Sequence, residues 1–521
     1  MSKKKIQKPI TKQEDIFDLI LDGFVQVAED ALGFIFRQGW KLISEKFDGP
    51  IFKREARALS VETLNTPSNF SNWDKPLFSH RQGKETDFSK VDFNINTLVM
   101  GTTGQGKNVL MDNIINERLK ANLPVVFIAP KGDVEDVIKF KLLNELHGRK
   151  SVVISDAWHE DHFNPIAEGS VASITERIHN SFEWSEQYYS DIAYNALKEA
   201  IDIIVNGRVV EGGRKIEVEG NNTPTFKKIE SVLNQKFPLG SKERKEAIGL
   251  INKISKINSS SFSELFNNEN GWTFSRIREE RRSIIFSISN LRFPELCRML
   301  GKIVVLDLQN HASDIFEKRG QNLDHISPLS IVIDELGAVA TTSFINLFNQ
   351  CRGAKMSVLA GFQCLADLNT VDPDFQSRVI SNTNNFFVGL MKQPEEAELL
   401  SKMIGTNATK KVTKRTEFDQ ELEDGSVRDA HEFIAPPDLF KSGNVAKFVV
   451  KTYLGEHIIN DIVTVKMKFT PENLRRMVEK RKKEDRLIPK VIPKTKYGGG
   501  DMGGGPKIKY KSESTETRVR F

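Results

Sequence analysis

Residues 101–108, Gly-Thr-Thr-Gly-Gln-Gly-Lys-Asn, constrain this chain more than any other stretch. The apolar run Thr97-Leu-Val-Met100 before them predicts a buried strand, and the apolar side chains from Val109 to Leu119 recur at helical spacing. A strand, a glycine-rich turn and a helix start are the context of a phosphate-binding loop. Its glycines let backbone N–H groups point at phosphates, and the helix N-terminus adds partial positive charge. The sequence therefore predicts a nucleotide-binding α/β domain.

The loop gives the predicted nucleotide contacts, which are Gly101, Thr102, Thr103, Gly104, Gln105, Gly106, Lys107 and Asn108. Lys107 has the reach and the point charge to contact the outer phosphates. The last position of such loops usually holds Ser or Thr, whose hydroxyl binds Mg²⁺. Asn108 stands there instead, and an amide oxygen can also bind a hard cation. Asn108 is therefore a predicted metal ligand, and its longer side chain leaves open weaker metal binding or slower turnover.

Paired carboxylates follow the apolar run 328–333. We expect Asp334 to hold Mg²⁺ through the water shell of the metal, and Glu335 to activate the water that attacks the γ-phosphate. Phosphoryl transfer also needs added positive charge, often from a neighbouring subunit, and Arg352 is the candidate. Gln363, at the end of the next strand, is the candidate γ-phosphate sensor. For Arg352 and Gln363, a surface arginine and a capping glutamine remain equally good interpretations.

The bulk composition is that of an ordinary soluble protein of 521 residues, with 39% hydrophobic and 28% charged residues. The net charge of +5 is small for this length, so polyanion binding would need local patches. Such a patch occurs from Arg475 to Phe521, where 15 Lys/Arg face 6 Asp/Glu. This end is glycine-rich and predicted to be disordered over 489–521. A solvated tail and a contact with nucleic acid or an acidic partner remain equally open.

No signal peptide is visible, and no run of about 18 apolar residues predicts a membrane-spanning helix. Residues 16–43 are rich in aromatic residues but interrupted by charges, which predicts one or two amphipathic helices. Packing on the body or on a partner is favoured over a membrane interface.

The three cysteines have no metal-type spacing and suit a reducing cytosol. His159 to His162 has two histidines but no distant partner, so it is read as a loop.

Strand-like apolar runs alternate with helical patterns, which predicts a parallel sheet with a ligand at the carboxyl ends of its strands. Between 171 and 282 the pattern becomes helical with polar breaks, which indicates an inserted all-α domain. The predicted division is a helical leader (1–60), a nucleotide-binding domain in two parts (61–170 and 283–468), the all-α insertion (171–282), and a basic helix with a glycine-rich tail (469–521).

Several further segments carry a family resemblance, namely Ala129-Pro-Lys-Gly-Asp133, Phe163-Asn-Pro-Ile166, Ile333-Asp-Glu-Leu336, Arg352-Gly-Ala-Lys355 and Gly361-Phe-Gln363. In order and spacing over about 90–405, these and the loop resemble the type IV coupling proteins, the TraD/TraG-type ATPases of conjugation and type IV secretion. Two positions depart from the family pattern: Ala129 replaces an acidic residue, and Asn108 replaces the usual hydroxyl.

The resemblance implies a RecA-like P-loop ATPase that uses ATP and Mg²⁺, forms a homo-hexamer and carries the insertion at a channel mouth. Its cargo would be single-stranded DNA with a relaxase, or secreted proteins, delivered to type IV channel components. It further implies a place at the cytoplasmic face of the bacterial inner membrane. Such proteins usually begin with membrane helices, whereas none is predicted here, so this chain would be either a soluble variant or one that a membrane-anchoring partner recruits through 16–43. Two alternatives remain: a docking hub with weak turnover, and a HerA/FtsK-like or secretion-assembly ATPase.

Overall fold

The computed structural model describes Phe78–Ser79, Glu85–Thr86 and 92–487, except 159, 208–215, 217, 219, 319–325, 341, 343, 370, 418–419, 443–445, 455–456 and 466–468. The predicted leader (1–60) with its segment 16–43, the predicted disordered tail (489–521) and His159 lie outside the described residues. In the part that the structure describes, no helix is long and apolar enough to cross a bilayer.

The described strands are β1 (Phe78–Ser79), β2 (Glu85–Thr86), β3 (Thr97–Met100), β4 (Val125–Ala129), β5 (Ser151–Ser155), β6 (Ser283–Ser287), β7 (Leu329–Ile333), β8 (Met356–Phe362), β9 (Asn385–Val388), β10 (Thr406–Glu417), β11 (Gln420–Phe433), β12 (Lys447–Leu454) and β13 (His457–Thr464). The described α-helices are α1 (Lys107–Lys120), α2 (Val134–Leu146), α3 (Val171–Ser181), α4 (Gln187–Asn206), α5 (Phe226–Lys236), α6 (Lys242–Asn258), α7 (Ser263–Phe266), α8 (Phe274–Glu279), α9 (Pro294–Glu317), α10 (Phe344–Gln350), α11 (Ala366–Asn369), α12 (Phe375–Ser381), α13 (Pro394–Ile404), α14 (Pro437–Lys441) and α15 (Pro471–Leu487). Two 3-10 turns lie at Leu336–Ala338 and Cys351–Ala354.

Nine strands form one sheet in the order β13-β12-β9-β3-β8-β7-β4-β6-β5. The seven strands from β9 to β5 are parallel, and β12 pairs antiparallel with both β9 and β13. The predicted parallel sheet is therefore confirmed, with an antiparallel hairpin at one edge. Parallel strands place all their carboxyl ends at the same edge, and this edge carries the candidate site.

Apolar residues alternate between the two faces of the sheet, so both faces are buried. In β3, Leu98 and Met100 join the core on one face, while Val99 joins the core on the other. Helix α1 covers the Val99 face with Leu110 and Ile114. Continuous apolar strands such as β4 and β7 are typical of parallel sheets covered by helices on both sides.

Between β5 and β6 the described residues form helices α3 to α8 and no strand. Several of these helices begin with a polar side chain that caps the first turn: Ser170, Thr225, Ser241 and Thr273 each accept a hydrogen bond from a backbone N–H three residues on. This helical stretch agrees with the pattern expected over 171–282. The domain boundaries themselves stay a prediction.

A buried ion pair joins this helical stretch to helix α9, which follows β6. Arg177 on α3 contacts Asp307 on α9 at 2.6 Å, and its other guanidinium nitrogen donates to the carbonyl of Glu168 at 2.9 Å. Both side chains are almost fully buried. Burial raises the pKa of Asp307 to about 7, although the neighbouring Arg177 acts to lower it.

We expect Arg177→Met to destabilise the protein in a pH-dependent way. A carboxyl whose folded-state pKa lies above its unfolded value loses stability as the pH rises towards the folded value, because the fold disfavours its charged form. Without Arg177 the pKa of Asp307 rises further, so the loss relative to the wild type is constant below about pH 7 and grows above it, by about 1 kcal/mol between pH 5 and pH 8, to a total of about 3 kcal/mol. Urea denaturation at both pH values measures it. Lys242→Met, which removes an exposed pair with Glu246, should cost under about 0.5 kcal/mol. A loss that is equal at both pH values would contradict this.

The carboxyl-terminal part of the described chain contains one feature that was not predicted and one that was. The hairpin β10–β11, which pairs Thr406 with Phe433 at its base, was not predicted, because its polar sequence gives no strand signal. The predicted basic helix is present as α15 and packs on α2. Its Leu474 and Val478 are buried, and Arg481 donates to the carbonyl of Leu146 at the end of α2.

Candidate nucleotide-binding site

The predicted phosphate loop connects β3 to α1, and it has the backbone conformation that such a loop needs. Gly104 has φ +80° and Gly106 has φ +94°, both in the left-handed region that side chains disfavour. Gly106 immediately precedes Lys107, the first residue of α1. The glycines therefore turn the chain sharply enough to bring backbone N–H groups to the start of a helix.

Lys107 is folded into the loop, and its side chain is only 5% exposed. Its Nζ donates to the carbonyl of Gly101 at 2.6 Å and to that of Thr102 at 3.4 Å. Burial lowers the pKa of Lys107, while the carboxylates of Glu335 and Asp334 oppose this shift. An ammonium held only by carbonyl oxygens and partly stripped of water is well prepared to bind phosphate oxygens.

Gln105 fixes the loop to the neighbouring part of the sheet. Its Nε2 donates to the carbonyl of Lys447 at 2.9 Å, and its own carbonyl accepts from the N–H of Ala446 at 2.9 Å. Gly389 leaves the space for this side chain, since a Cβ there would lie 2.3 Å from Gln105 Cγ. In this structure the Gln105 side chain supports the loop, and its contact with a nucleotide stays a prediction.

The predicted carboxylates follow β7 and meet Lys131, which follows β4. Lys131 Nζ lies 2.6 Å from Asp334 Oδ2 and 3.6 Å from Glu335 Oε1. Burial alone would lower the pKa of Lys131, but Asp334 and Glu335 outweigh it and the pKa is raised. Lys131 was not among the site residues predicted from the sequence. The signal for it was its place in the polar turn directly after an apolar strand.

A chain of side-chain hydrogen bonds connects the loop to Glu335. Thr103 Oγ1 donates to Gln363 Oε1 at 2.8 Å, and Gln363 Nε2 donates to Glu335 Oε1 at 2.8 Å. Glu335 adopts φ +57°, a left-handed conformation that is strained for a side-chain residue and frequent at functional sites. Gln363 therefore lies between the phosphate loop and the predicted catalytic carboxylate, where a γ-phosphate sensor would have to be.

Two predicted site residues are not part of this cluster. Asn108 is half-buried in the first turn of α1, and its role as metal ligand stays a prediction. Arg352 is exposed in the turn before β8, whereas Gln363 follows the other end of that strand. Seven residues of strand span roughly 23 Å at about 3.3 Å each, so Arg352 cannot reach the loop of its own chain.

The residues present fit a magnesium ion. Asp334 is fully buried, and its Oδ1 has no hydrogen-bond partner among the described residues. Gly361 lies beside this oxygen and allows Met111 to pack there, since a Cβ on Gly361 would lie 3.5 Å from Asp334 Oδ1 and 2.1 Å from Met111 Cε. Magnesium in nucleotide sites is typically held by one or two carboxylates, phosphates and water, so one buried carboxylate oxygen suffices. In the described residues no cluster of three or more His, Cys, Asp or Glu side chains offers an all-protein metal cage.

A pocket of about 580 Å³ opens beside the carboxylates. Its walls come from the turn after β4, the loop between β6 and α9, helix α9 and the end of β8; they include Lys131, Leu291, Arg298, Glu335 and Gln363. The candidate site is therefore continuous with an open cavity, which shares Lys131, Glu335 and Gln363 with the site.

A glycine-rich loop between a central strand and a helix, with paired carboxylates at the end of a strand two positions away, defines the class of P-loop α/β proteins. Residues 328–440 match the family model described as the TraM recognition site of TraD and TraG. No curated protein sequence matches the chain.

Solved structures of the conjugative coupling protein TrwB share the fold. The unbound monoclinic form is 14% identical, with 81% of this chain and 96% of that chain covered and a TM-score of 0.55. TrwB with ADP and Mg²⁺ is 15% identical, with 80% and 94% covered and a TM-score of 0.52. TrwB with a non-hydrolysable ATP analogue is 15% identical, with 81% and 96% covered and a TM-score of 0.52. The predicted resemblance to the type IV coupling proteins is thus confirmed.

Proposed function

We propose that this chain is an ATP-driven coupling motor. It recruits single-stranded DNA, as a relaxase–DNA complex, or a protein substrate, and moves it into a type IV secretion or conjugation channel. The observation that supports this most is that the loop of Lys107 is connected to Glu335, next to Asp334, by the hydrogen bonds of Gln363 with Thr103 and with Glu335, both 2.8 Å long. TrwB, which has the same fold, has been solved with ADP and Mg²⁺ and with an ATP analogue, and this supports ATP and Mg²⁺ as the ligands.

The position of each residue in the cluster is compatible with one role in binding or hydrolysing ATP. Lys107 exchanges its carbonyl partners for the outer phosphates, and the loop N–H groups hold the remaining oxygens. Asp334 would hold a magnesium ion through the water shell of the metal, and the ion would supply positive charge that neutralises the phosphates. Glu335 accepts the proton of the attacking water, and Gln363 transmits the state of the γ-phosphate to Thr103 and Glu335.

The position of Arg352 supports assembly into a ring. Arg352 lies at the amino-terminal edge of the sheet, and the nucleotide cluster lies at the carboxyl-terminal edge. A head-to-tail ring of identical chains would bring Arg352 of one chain to the nucleotide of the next. We propose a homo-hexamer at the cytoplasmic face of the inner membrane. The family match over 328–440 supports contact with relaxosome and secretion-channel partners.

A docking hub is the second candidate, and Asn108 is the observation that favours it. The first turn of α1 offers an amide where a magnesium-binding hydroxyl is usual. Such a protein would bind nucleotide and recruit substrates with little turnover.

ATP hydrolysis measured with and without single-stranded DNA, together with the mass of the assembly, separates these candidates. The motor requires hydrolysis that DNA stimulates several-fold and a mass close to six chains with nucleotide. Binding without turnover, unchanged in Asn108→Thr, would support the hub and contradict the motor.

Arg352→Ala should leave ATP affinity within about twofold but lower hydrolysis by at least about 100-fold, because the arginine would act on the nucleotide of a neighbouring chain. Equilibrium binding of a fluorescent ATP analogue and steady-state phosphate release measure the two effects. Arg378→Ala, at another exposed arginine, is the matched control and should behave like the wild type. Loss of ATP binding in Arg352→Ala would rule out this role.

A further inference from the structure

Lys131 is the residue after β4 that contacts both candidate carboxylates. Its ammonium lies 2.6 Å from Asp334 Oδ2 and 3.6 Å from Glu335 Oε1, so one cation serves both carboxylates. The side chain is 39% exposed and lines the open pocket. Lys131 therefore contacts the candidate metal and base residues from the pocket side, whereas Lys107 belongs to the loop.

Asp334 depends on this contact. A fully buried carboxylate is costly unless it is paired, and of its two oxygens only Oδ2 has a partner among the described residues. Oδ1 faces Gly361 and Met111, so Oδ2 is the oxygen on the Lys131 side of the carboxylate. The geometry therefore makes Lys131 the cation that holds and orients the Asp334 carboxylate.

The backbone under Lys131 is fixed, so only its side chain is free to adjust. The carbonyl of Pro130 accepts a hydrogen bond from the N–H of Asn290 at 2.8 Å. Gly132 has φ +65° and packs so closely that a Cβ would lie 2.6 Å from Ser289. Asp133 then caps α2 by accepting from the N–H of Glu135 at 2.8 Å. The turn thus presents the lysine stem from a rigid base.

We propose that Lys131 is a positioning residue that aligns Asp334 and Glu335 before the nucleotide binds and shares Asp334 with magnesium afterwards. This rests on the proposed function, since it assumes that a magnesium–nucleotide complex binds here. Two lysines and two carboxylates, Lys107, Lys131, Asp334 and Glu335, balance in charge. Removing the Lys131 charge makes the remaining group net negative, so magnesium is attracted more strongly while Glu335 loses a contact that orients it.

Lys131→Met tests this, because methionine keeps much of the stem and removes the charge. We expect the Mg²⁺ concentration at half-maximal binding of a fluorescent ATP analogue to fall about threefold or more, while hydrolysis slows about tenfold. Lys131→Arg keeps the charge and should keep the wild-type Mg²⁺ midpoint. Lys302→Met, which removes the pair with Glu183 on the surface of α9, is the matched control and should change neither quantity.

Replacing a lysine with a merely structural role would not make Mg²⁺ bind more tightly while hydrolysis becomes slower. A Mg²⁺ midpoint and a rate both within twofold of the wild type in Lys131→Met would overturn the proposal. So would a midpoint that shifts equally in Lys131→Arg. If the wild type binds nucleotide with the expected Mg²⁺ shift in Lys131→Met but shows no response to DNA, the motor function fails and the role of Lys131 stands.

Discussion

Lys107→Ala is expected to weaken ATP binding by at least about 100-fold and to bring hydrolysis to background. The lysine is the cation that the phosphate loop encloses, and it is held only by the carbonyls of Gly101 and Thr102. Alanine leaves the loop without the point charge that the outer phosphates require. Calorimetric titration with an ATP analogue and phosphate release measure the two losses.

The fold should survive this change, because the backbone hydrogen bonds that hold the loop, from the N–H of Thr102 to the carbonyl of Leu390 and from the N–H of Gln105 to the carbonyl of Thr102, do not involve the Lys107 side chain. Thermal unfolding of nucleotide-free Lys107→Ala should therefore stay close to that of the wild type. Lys120→Ala is the matched control at the exposed end of the same helix, where the lysine is 3.7 Å from Glu117. Undiminished ATP affinity in Lys107→Ala would mean that the nucleotide binds elsewhere.

Glu335→Gln is expected to keep ATP affinity within about threefold and to slow hydrolysis by about 1,000-fold. Glutamine has the same shape and can still accept the hydrogen bond from Gln363 Nε2 at 2.8 Å. It cannot accept a proton from water at neutral pH, so binding and chemistry separate. Single-turnover hydrolysis measures the chemical step directly, and Glu479→Gln on the exposed face of α15 is the control.

Wild-type turnover in Glu335→Gln would mean that another group activates the water. A variant that loses binding together with turnover would place Glu335 in nucleotide binding and remove it from the role of base.

The sheet and the loop were predictable because their signals are local. Continuous apolar runs give β4 and β7, and the glycines with the helix start give the phosphate loop. The strand order was not predictable, because the placement of β3 between β8 and β9 depends on pairings between residues more than 250 positions apart. The hairpin β10–β11 was missed because its strands are polar and lie outside the main sheet.

The candidate site was likewise predictable only where the sequence signal is local. Lys107 and Asp334 were found from local context, since each directly follows a strand or glycine turn of the predicted kind. Lys131 and the supporting role of Gln105 were missed, because each depends on a contact with a distant segment: Asp334 in one case and Lys447 in the other. Arg352 was predicted as an arginine that acts on a neighbouring subunit; the structure places it at the opposite edge of the sheet from the phosphate loop, and its role stays a prediction.

The central claim is that the phosphate loop and the Asp334 carboxylate hold one metal–nucleotide complex. Pulsed electron paramagnetic resonance with Mn²⁺ in place of Mg²⁺ tests it directly, because phosphorus couplings appear only when the metal binds the nucleotide's phosphates. We expect such couplings in the wild type with an ATP analogue, a much weaker Mn²⁺ affinity in Asp334→Asn, and no couplings in Lys107→Ala at the same concentrations. Unchanged Mn²⁺ affinity and couplings in both variants would contradict the claim.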